Sequence, residues 1–173
     1  MINHNLLLYS LLDRKFSIEF NLQCWDVNFT EGDLFELNKK LIKSETKYPI
    51  IWLQSGYTVS DFVNGSTVEL KGCNFFLITK GDQHDFYKKR FETNYQKMLF
   101  PLMEKFKKAI AKSKGVSILN DSIEFVQFPF NDTTELTSTT GRKQATTGDI
   151  WDAIAINGIN LRISKDCYPE FKI

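Results

Sequence analysis

The chain has 173 residues, of which 42% are hydrophobic and 25% are charged, and its formal net charge is +1 at pH 7. These values are ordinary for a globular protein, and the length supports one well-buried core rather than two. A nearly neutral chain has no overall field that would attract nucleic acid or an anionic membrane. We therefore expect one domain spanning residues 1–173.

The N-terminal segment MINHNLLLYSLLDRKF predicts an amphipathic helix. Leu7, Leu8, Leu11 and Leu12 fall at helical spacing. The apolar run is too short to span a bilayer, and it lacks a basic leader and a small-residue cleavage site. We expect no membrane segment and a soluble protein that is made in a cytoplasm.

The next segments alternate between strand and helix patterns. FSIEFNLQCW predicts a half-buried strand, and FTEGDLFELNKKLIKSETK predicts a short helix with a lysine-rich end. YPIIWLQ predicts a strand that begins at Pro49. TVELKGCNFFLITK predicts a long strand with a bulge at Gly72-Cys73. Because this strand is apolar on both faces near its end, we expect it to be covered on both sides.

The loop SGYTVSDFVNGS carries two aromatic residues in a polar setting, Tyr57 and Phe62. Two interpretations are open. Both rings fold back on the core, or both anchor a partner protein. Tyr57 and Phe62 are therefore candidate interface residues.

The longest helix is predicted between Asp85 and Lys114. Its apolar stripe recurs at steps of three or four and comprises Phe91, Tyr95, Met98, Leu102, Phe106 and Ile110. Pro101 lacks a backbone donor and clashes with the preceding turn, so we expect a kink or two abutting helices near Phe100. Asp82 or Asp85 is expected to begin the helix.

The region after the strand SIEFVQFPF is rich in threonine and nearly free of large apolar side chains, from Asn131 to Gly148. A structureless loop of this length is often functional or disordered. Threonine also favours strands, so an extended hairpin that turns near Gly141 is an equal alternative. Arg142 and Lys143 at its tip are candidate interface residues.

The segment GDIWDAIAINGINLRISKDC contains Asn157-Gly158 between alternating apolar residues, which is the strongest short hairpin signal. We expect a hairpin there, and the alternative is one long strand with a bulge. One face is apolar and carries a single aspartate, Asp152. The other face begins with Trp151, is small and mixed, and is expected to be available to a partner, so Trp151 is also a candidate interface residue.

The sequence contains few motifs that indicate a catalytic, cofactor or metal site. No phosphate-binding loop, dinucleotide fingerprint or nucleophile elbow is present. Three separated cysteines and two histidines lack the paired spacing of a zinc site, and the cysteines suit a reducing compartment. We expect no metal, no cofactor and no catalytic residue.

Two sets of polar residues each allow two interpretations. His84 between Asp82 and Asp85 has the residue types of a general base, although the same residues commonly close turns before helices. A stripe of Lys105, Lys108 and Lys112 would either follow a phosphate backbone or form the solvated face of the helix.

The order of elements resembles small virion proteins of tailed bacteriophages, in particular the neck and tail-completion ring proteins that include tail terminators. The resemblance covers Tyr48 to Cys167 and rests on the N-terminal helix, YPIIWLQ, the strand ending NFFLITK, the helix YQKMLFPLMEKFKKAI and GDIWDAIAINGINLRI. The resemblance lies in the order of the elements, and it assigns no catalytic or ligand-binding residue to this chain.

The resemblance implies a structural, non-enzymatic role in the virion. Such proteins form rings, often of six or twelve subunits, around the channel through which the genome passes, and they contact neck, portal or tail proteins. They join the head to the tail or complete the tail. The alternatives are a small monomeric adaptor or host-takeover protein, and an enzyme that uses His84 with Asp82 and Asp85.

The fold expected from all segments is a single α+β domain. A mostly antiparallel sheet packs against one long helix, with the N-terminal helix nearby and the threonine-rich loop or hairpin at 131–148. The long helix is expected to bury Met98, Leu102 and Phe106.

Overall fold

The computed structural model describes residues 3–20, 22–43, 48–82, 84–129 and 150–167. The helices are α1 (Asn3–Leu12), α2 (Leu34–Lys43) and a long helix in three consecutive parts, followed by a 3-10 turn at Lys165–Cys167. The parts of the long helix are α3 (Tyr87–Arg90), a π-helical segment (Phe91–Leu99) and α4 (Phe100–Lys112).

The described strands form two sheets. A hairpin of β1 (Ser17–Phe20) and β2 (Gln23–Asp26) forms the small one. The large one has seven strands: β3 (Asn28–Gly32), β4 (Ile50–Gln54), β5 (Thr58–Asp61), β6 (Thr67–Gly81), β7 (Val116–Ile118), β8 (Phe125–Pro129) and β9 (Ile150–Ser164).

The large sheet has the order β3-β4-β6-β9-β7, with β5 also beside β6 and β8 also beside β9. The β3–β4 pair is parallel, and every other pair in the sheet is antiparallel. A mostly antiparallel sheet with helices makes this a single α+β domain, as the sequence predicted.

The main core lies between the sheet and the long helix. Met98, Leu102 and Phe106 are buried there, as expected, and Leu8 and Leu12 of α1 join them. A second, smaller core lies on the opposite face, where Leu37 of α2 packs with strand residues. The strand β6 is therefore covered on both sides near its end, which confirms the prediction from its two apolar faces.

The long helix changes its hydrogen bonding just before Pro101. The Phe100 N–H donates to the Tyr95 carbonyl, five residues back, as in a π-helix. Regular α-helix begins at Phe100 and has Pro101 in its first turn, so the missing N–H of Pro101 falls where the hydrogen bonding changes from π to α. The expected discontinuity near Phe100 is therefore present as a change of helix type.

The start of the long helix differs from the prediction. Its N-cap is Phe86, with no side-chain capping bond, so neither Asp82 nor Asp85 begins the helix. Asp82 instead accepts a hydrogen bond from the His84 backbone N–H at 2.9 Å. Asp82 closes the preceding turn, whereas the carboxylate of Asp85, one residue before the N-cap, pairs with the Lys89 ammonium at 2.6 Å.

Two segments near the N-terminus were predicted incorrectly. FSIEFNLQCW is a hairpin, because Leu22 has a φ of +62° and reverses the chain between β1 and β2. FTEG belongs to β3 rather than to the helix that follows, and Asp33 caps α2 by accepting from the Glu36 N–H at 2.9 Å. The pairing of β3 with β4 spans more than twenty residues, so local periodicity does not reveal it.

The predicted hairpin at Asn157-Gly158 is wrong, and the alternative of one long strand with a bulge is correct. The strand β9 runs through this point and pairs with β6 on both sides of it. Between two paired positions, β9 has Asn157 and Gly158 where β6 has only Asn74. Gly158 has a φ of +65°, a conformation that favours glycine.

A second bulge on β6 compensates for the first. Lys71 and Gly72 lie opposite the single residue Asn160, so the register before and after the two bulges is the same. Gly72 has a φ of +72°, and its N–H donates to Asn160 Oδ1 at 3.0 Å. On the other strand the Gly158 N–H donates to Asn74 Oδ1 at 3.0 Å. Each strand thus satisfies the bulged amide of its partner.

Candidate functional site

Tyr57 lies between β4 and β5 and turns inward. Its hydroxyl donates to Glu31 Oε1 and lies 3.4 Å from His4 Nε2. Burial raises the pKa of Tyr57, and the hydrogen bond to Glu31 raises it further. The hydroxyl is therefore used within the subunit, which supports the interpretation that this ring folds back on the core.

Replacing Glu31 with glutamine is expected to remove one pH-dependent contribution to stability. Burial raises the pKa of Glu31 above 4.5, although the Tyr57 hydrogen bond opposes this. Between 4.5 and the raised pKa the folded state binds more protons than the unfolded state, so stability falls as pH rises through that window. The difference in unfolding free energy, wild type minus Glu31→Gln, should fall as the pH of urea titrations rises from about 4 to 7.

His4 contributes a pH dependence of opposite sign. Burial lowers the pKa of His4, so the folded state binds fewer protons than the unfolded state. The free energy of unfolding therefore falls as the pH drops below 6.5. Because His4 is present in both proteins, its contribution cancels in the difference. A difference that stays constant across this pH range would contradict the assignment to Glu31.

Phe62 remains on the surface, with 47% of its area exposed, and the adjacent Val63 is 96% exposed. Both lie in the turn between β5 and β6. Lys165 fixes this turn, since its Nζ donates to the Phe62 carbonyl at 3.1 Å and pairs with Asp61 at 2.5 Å. An apolar tip is thus held in place beside β5.

Trp151 is buried, with only 7% of its area exposed, in the second core with Trp52 and Ile78. The expectation that this face is available is therefore wrong at Trp151, because α2 and neighbouring strands cover it. The same face of β9 is open further along the strand, where Arg162 pairs with Glu69 at 2.9 Å on the surface.

Arg142, Lys143 and the threonine-rich segment 131–148 lie outside the described residues, so their role stays a prediction.

The strand β8 presents an apolar edge that is not among the interface residues predicted from the sequence. Phe125 is 40% exposed and Val126 is 54% exposed. The strand pairs with β9 on one side, and no strand among the described residues pairs with its other side. The sequence does contain a signal for this edge, since the segment SIEFVQFPF places apolar residues on both faces of one strand. The strand β5 is a second edge of this kind, on the opposite side of the sheet beside β6.

The strand β3, by contrast, has its outer edge closed by side chains. The Phe29 N–H donates to Asp13 Oδ1 at 2.8 Å, and the Phe29 carbonyl accepts from Lys40 Nζ at 2.5 Å. Proteins commonly block edge strands in this way to prevent pairing with other chains. We therefore define two open edges: the β5 edge, with Phe62 and Val63 at its end, and the β8 edge, with Phe125 and Val126.

Asp152, the aspartate on the apolar face, lies in a buried ionic cluster. Its carboxylate accepts from Arg90 Nη2 at 2.5 Å and Arg90 Nε at 3.2 Å, and from Asn94 Nδ2 at 2.6 Å. The hydrogen bond to Asp152 raises the pKa of Arg90. The side chain of Asp152 is fully buried and that of Arg90 nearly so. The cluster attaches the start of the long helix to β9.

The Asp82-His84-Asp85 group is a surface turn. Asp85 Oδ1 pairs with Lys89 at 2.6 Å, and His84 is exposed. This geometry supports the interpretation of local turn closure. In the lysine stripe, Lys105 Nζ donates to the Ser17 carbonyl, whereas Lys108 and Lys112 are exposed.

The described residues contain no group of three His, Cys, Asp or Glu side chains that could hold a metal ion. Within the same residues, no helix is long and apolar enough to cross a membrane. Burial raises the pKa of Cys73 to about 12, and a protonated thiol of this kind is a poor nucleophile.

Comparison with known proteins gives no relative. No protein-family model matches the chain, no curated protein matches it, and no solved structure matches it.

Proposed function

We propose that this chain is a structural protein of a tailed-bacteriophage virion, which forms a ring in the neck or tail around the DNA channel. It would join head to tail or complete the tail, in contact with other neck, portal or tail proteins. The observation that carries the proposal is the pair of open edges, β5 and β8, on opposite sides of one sheet. A ring of identical subunits needs two different contact surfaces on each subunit.

The strand directions are compatible with such a contact. Along β5-β6-β9-β8 every neighbouring pair is antiparallel, so β5 and β8 run in opposite directions. A second copy in the same orientation can therefore place its β5 beside β8 and continue an antiparallel sheet. Strand addition of this kind supplies main-chain hydrogen bonds, and exposed apolar side chains add burial.

The two open edges are also offset along the strands. The β5 edge pairs with residues 68–71 of β6, whereas β8 is level with residues 75–79. At about 3.3 Å per residue the offset is roughly 25 Å. A joined sheet would be staggered, so its strands would tilt relative to the ring axis, as strands do when a sheet closes on itself.

Replacing Val126 with lysine is expected to block assembly while leaving the subunit folded. A lysine on an edge strand opposes pairing, since its charge would be buried in the contact. The measurement is the copy number of the protein in purified particles, with the yield of joined heads and tails. Wild type should give a closed-ring number such as six or twelve, and Val126→Lys should give few joined particles.

Leu22→Lys is the matched control, since Leu22 is 98% exposed and lies outside the large sheet. It should assemble as wild type does. Normal yield from Val126→Lys would defeat the role of the β8 edge. Absence of the wild-type protein from particles, or one or two copies per particle, would defeat the structural function and favour a monomeric adaptor.

A further inference from the structure

We propose that His4 makes the docking of α1 sensitive to acid, so that protonation of this side chain releases α1 and uncovers the outer edge of β3. His4 lies in the first turn of α1 and is 1% exposed. Its Nδ1 atom is buried without a hydrogen-bond partner within the described part of the chain. A buried imidazole with one unsatisfied nitrogen is the observation that carries the proposal. This inference goes beyond the proposed function and does not depend on it.

The contacts of His4 fix the neutral form of its ring. The Tyr57 hydroxyl donates its proton to Glu31 Oε1, so it can only accept from His4. Its oxygen lies 3.4 Å from His4 Nε2, which therefore carries the ring hydrogen. In this tautomer Nδ1 has no hydrogen and needs no acceptor. The contacts connect α1 with β3 and with the segment between β4 and β5.

A second proton on His4 would have to bind at Nδ1. The imidazolium would then be buried, and burial disfavours the charged form. Asn5 Oδ1, which is also buried without a partner in the described residues, could accept from a protonated Nδ1 and offset part of this cost. Burial is the larger effect, so the pKa of His4 is lowered. The docked state therefore binds this proton less tightly than the released state does.

The titratable groups beside His4 do not supply a lasting anion. Burial raises the pKa of Tyr57 and of Cys73, so both stay protonated. Glu31 faces the ring through the Tyr57 hydroxyl, and burial raises its pKa as well. Acid therefore neutralises the Glu31 carboxylate in the same direction of pH change that protonates His4.

The helix α4 also packs against α1, and its charges do not contribute to the pKa shift of His4. Lys105 donates to the Ser17 carbonyl, and Lys107 pairs with Glu104 at 3.0 Å. The remaining lysines of α4, Lys108 and Lys112, are exposed. The pH dependence of docking therefore depends on His4 and Glu31.

Release of α1 would open β3, because the end of the helix closes that edge. Asp13 follows α1, and its N–H donates to the Tyr9 carbonyl at 2.9 Å, so Asp13 moves with the last helical turn. Its carboxylate accepts from the Phe29 N–H of β3 at 2.8 Å, and the Tyr9 and Phe29 rings lie 4.8 Å apart. A released α1 removes both contacts and leaves an unpaired N–H on an edge strand. Leu8 and Leu12 leave the main core at the same time.

The experiment is hydrogen exchange of the full chain between about pH 7.5 and 5.5, corrected for the pH dependence of the intrinsic exchange rate. As the pH falls below 6.5, the opening equilibrium constant of the α1 amides and of the Phe29 N–H should rise. The rise should be up to about tenfold per pH unit until the lowered pKa of His4 is reached. Amides in the centre of β9 should show no such rise, because the rest of the subunit stays folded.

Four variants separate His4 from other causes. His4→Gln should remove the rise, since glutamine keeps a donor for Tyr57 but does not titrate. His84→Gln, changed at the exposed histidine, should retain it. Leu8→Ala should increase opening by the same factor at every pH, because it weakens only the packing of α1. Glu31→Gln should keep or steepen the rise, because the pH dependence of Glu31 has the opposite sign.

Absence of the rise in wild type, its persistence in His4→Gln, or its loss in Glu31→Gln would overturn the proposal. An equal rise in β9 would also overturn it, since acid would then unfold the whole subunit rather than release α1. None of these outcomes bears on assembly through the β5 and β8 edges.

Discussion

Replacing Phe106 with alanine is expected to lower the free energy of unfolding by about 3–5 kcal/mol. Phe106 is fully buried on α4, and its ring lies 5.0 Å from that of Phe75 on β6. The substitution removes apolar contact between the helix and the sheet and leaves a cavity, because the rigid sheet cannot collapse into it. Urea denaturation at fixed pH measures the loss.

Phe86→Ala is the matched control for this prediction. Phe86 is 89% exposed, so its replacement should change the free energy of unfolding by less than about 0.5 kcal/mol. A loss at Phe106 no larger than the loss at Phe86 would show that the main core does not depend on this face of the helix.

Breaking the buried cluster at one partner is expected to cost about 3–5 kcal/mol, in either Arg90→Met or Asp152→Leu. Each single change leaves an opposite charge with little access to water, since the side chains are 12% and 0% exposed. The double variant Arg90→Met with Asp152→Leu should recover most of the loss, because neither charge is then buried alone. A double-mutant cycle from denaturant titrations measures this coupling.

The Lys89–Asp85 pair provides the comparison on the same helix end. The two charged groups are 2.6 Å apart, and the Lys89 side chain is 66% exposed while that of Asp85 is 20% exposed. Because water reaches the Lys89 ammonium, the same kind of cycle there should give less than about 1 kcal/mol. If the losses at Arg90 and Asp152 simply add in the double variant, the two charges do not depend on each other and the cluster does not attach the long helix to β9.

The sequence by itself determined the type of most elements and the face on which they pack. Periodicity in Met98, Leu102 and Phe106 predicted the buried face of the long helix, and alternation in Ile154 and Ile156 predicted the buried face of β9. These features follow from neighbours three, four or two positions apart, so a single chain segment contains the information. A bulge on β6 was predicted at Gly72-Cys73, and it lies at Lys71-Gly72; the glycine inside the strand pattern was the local signal.

The partner strand decided the path at Asn157-Gly158. An Asn-Gly pair between apolar residues suits both a tight turn and a bulge, because both need a residue with positive φ. The bulge is stable here because β6 has its own at Gly72, and Asn74 and Asn160 bind the two irregular amides. Those asparagines are more than eighty residues from the amides they bind, so no local sequence pattern could distinguish the bulge from a tight turn.

Only the tertiary structure decided which surfaces stay open. Trp151 and Tyr57 were candidates for an interface, yet α2 and neighbouring strands cover the first, and Glu31 engages the second. The β8 edge, with Val126, was not singled out and is exposed. An apolar residue has the same local pattern whether another element covers it or not. Its burial depends on contacts between segments far apart in the chain, and only the folded arrangement supplies them.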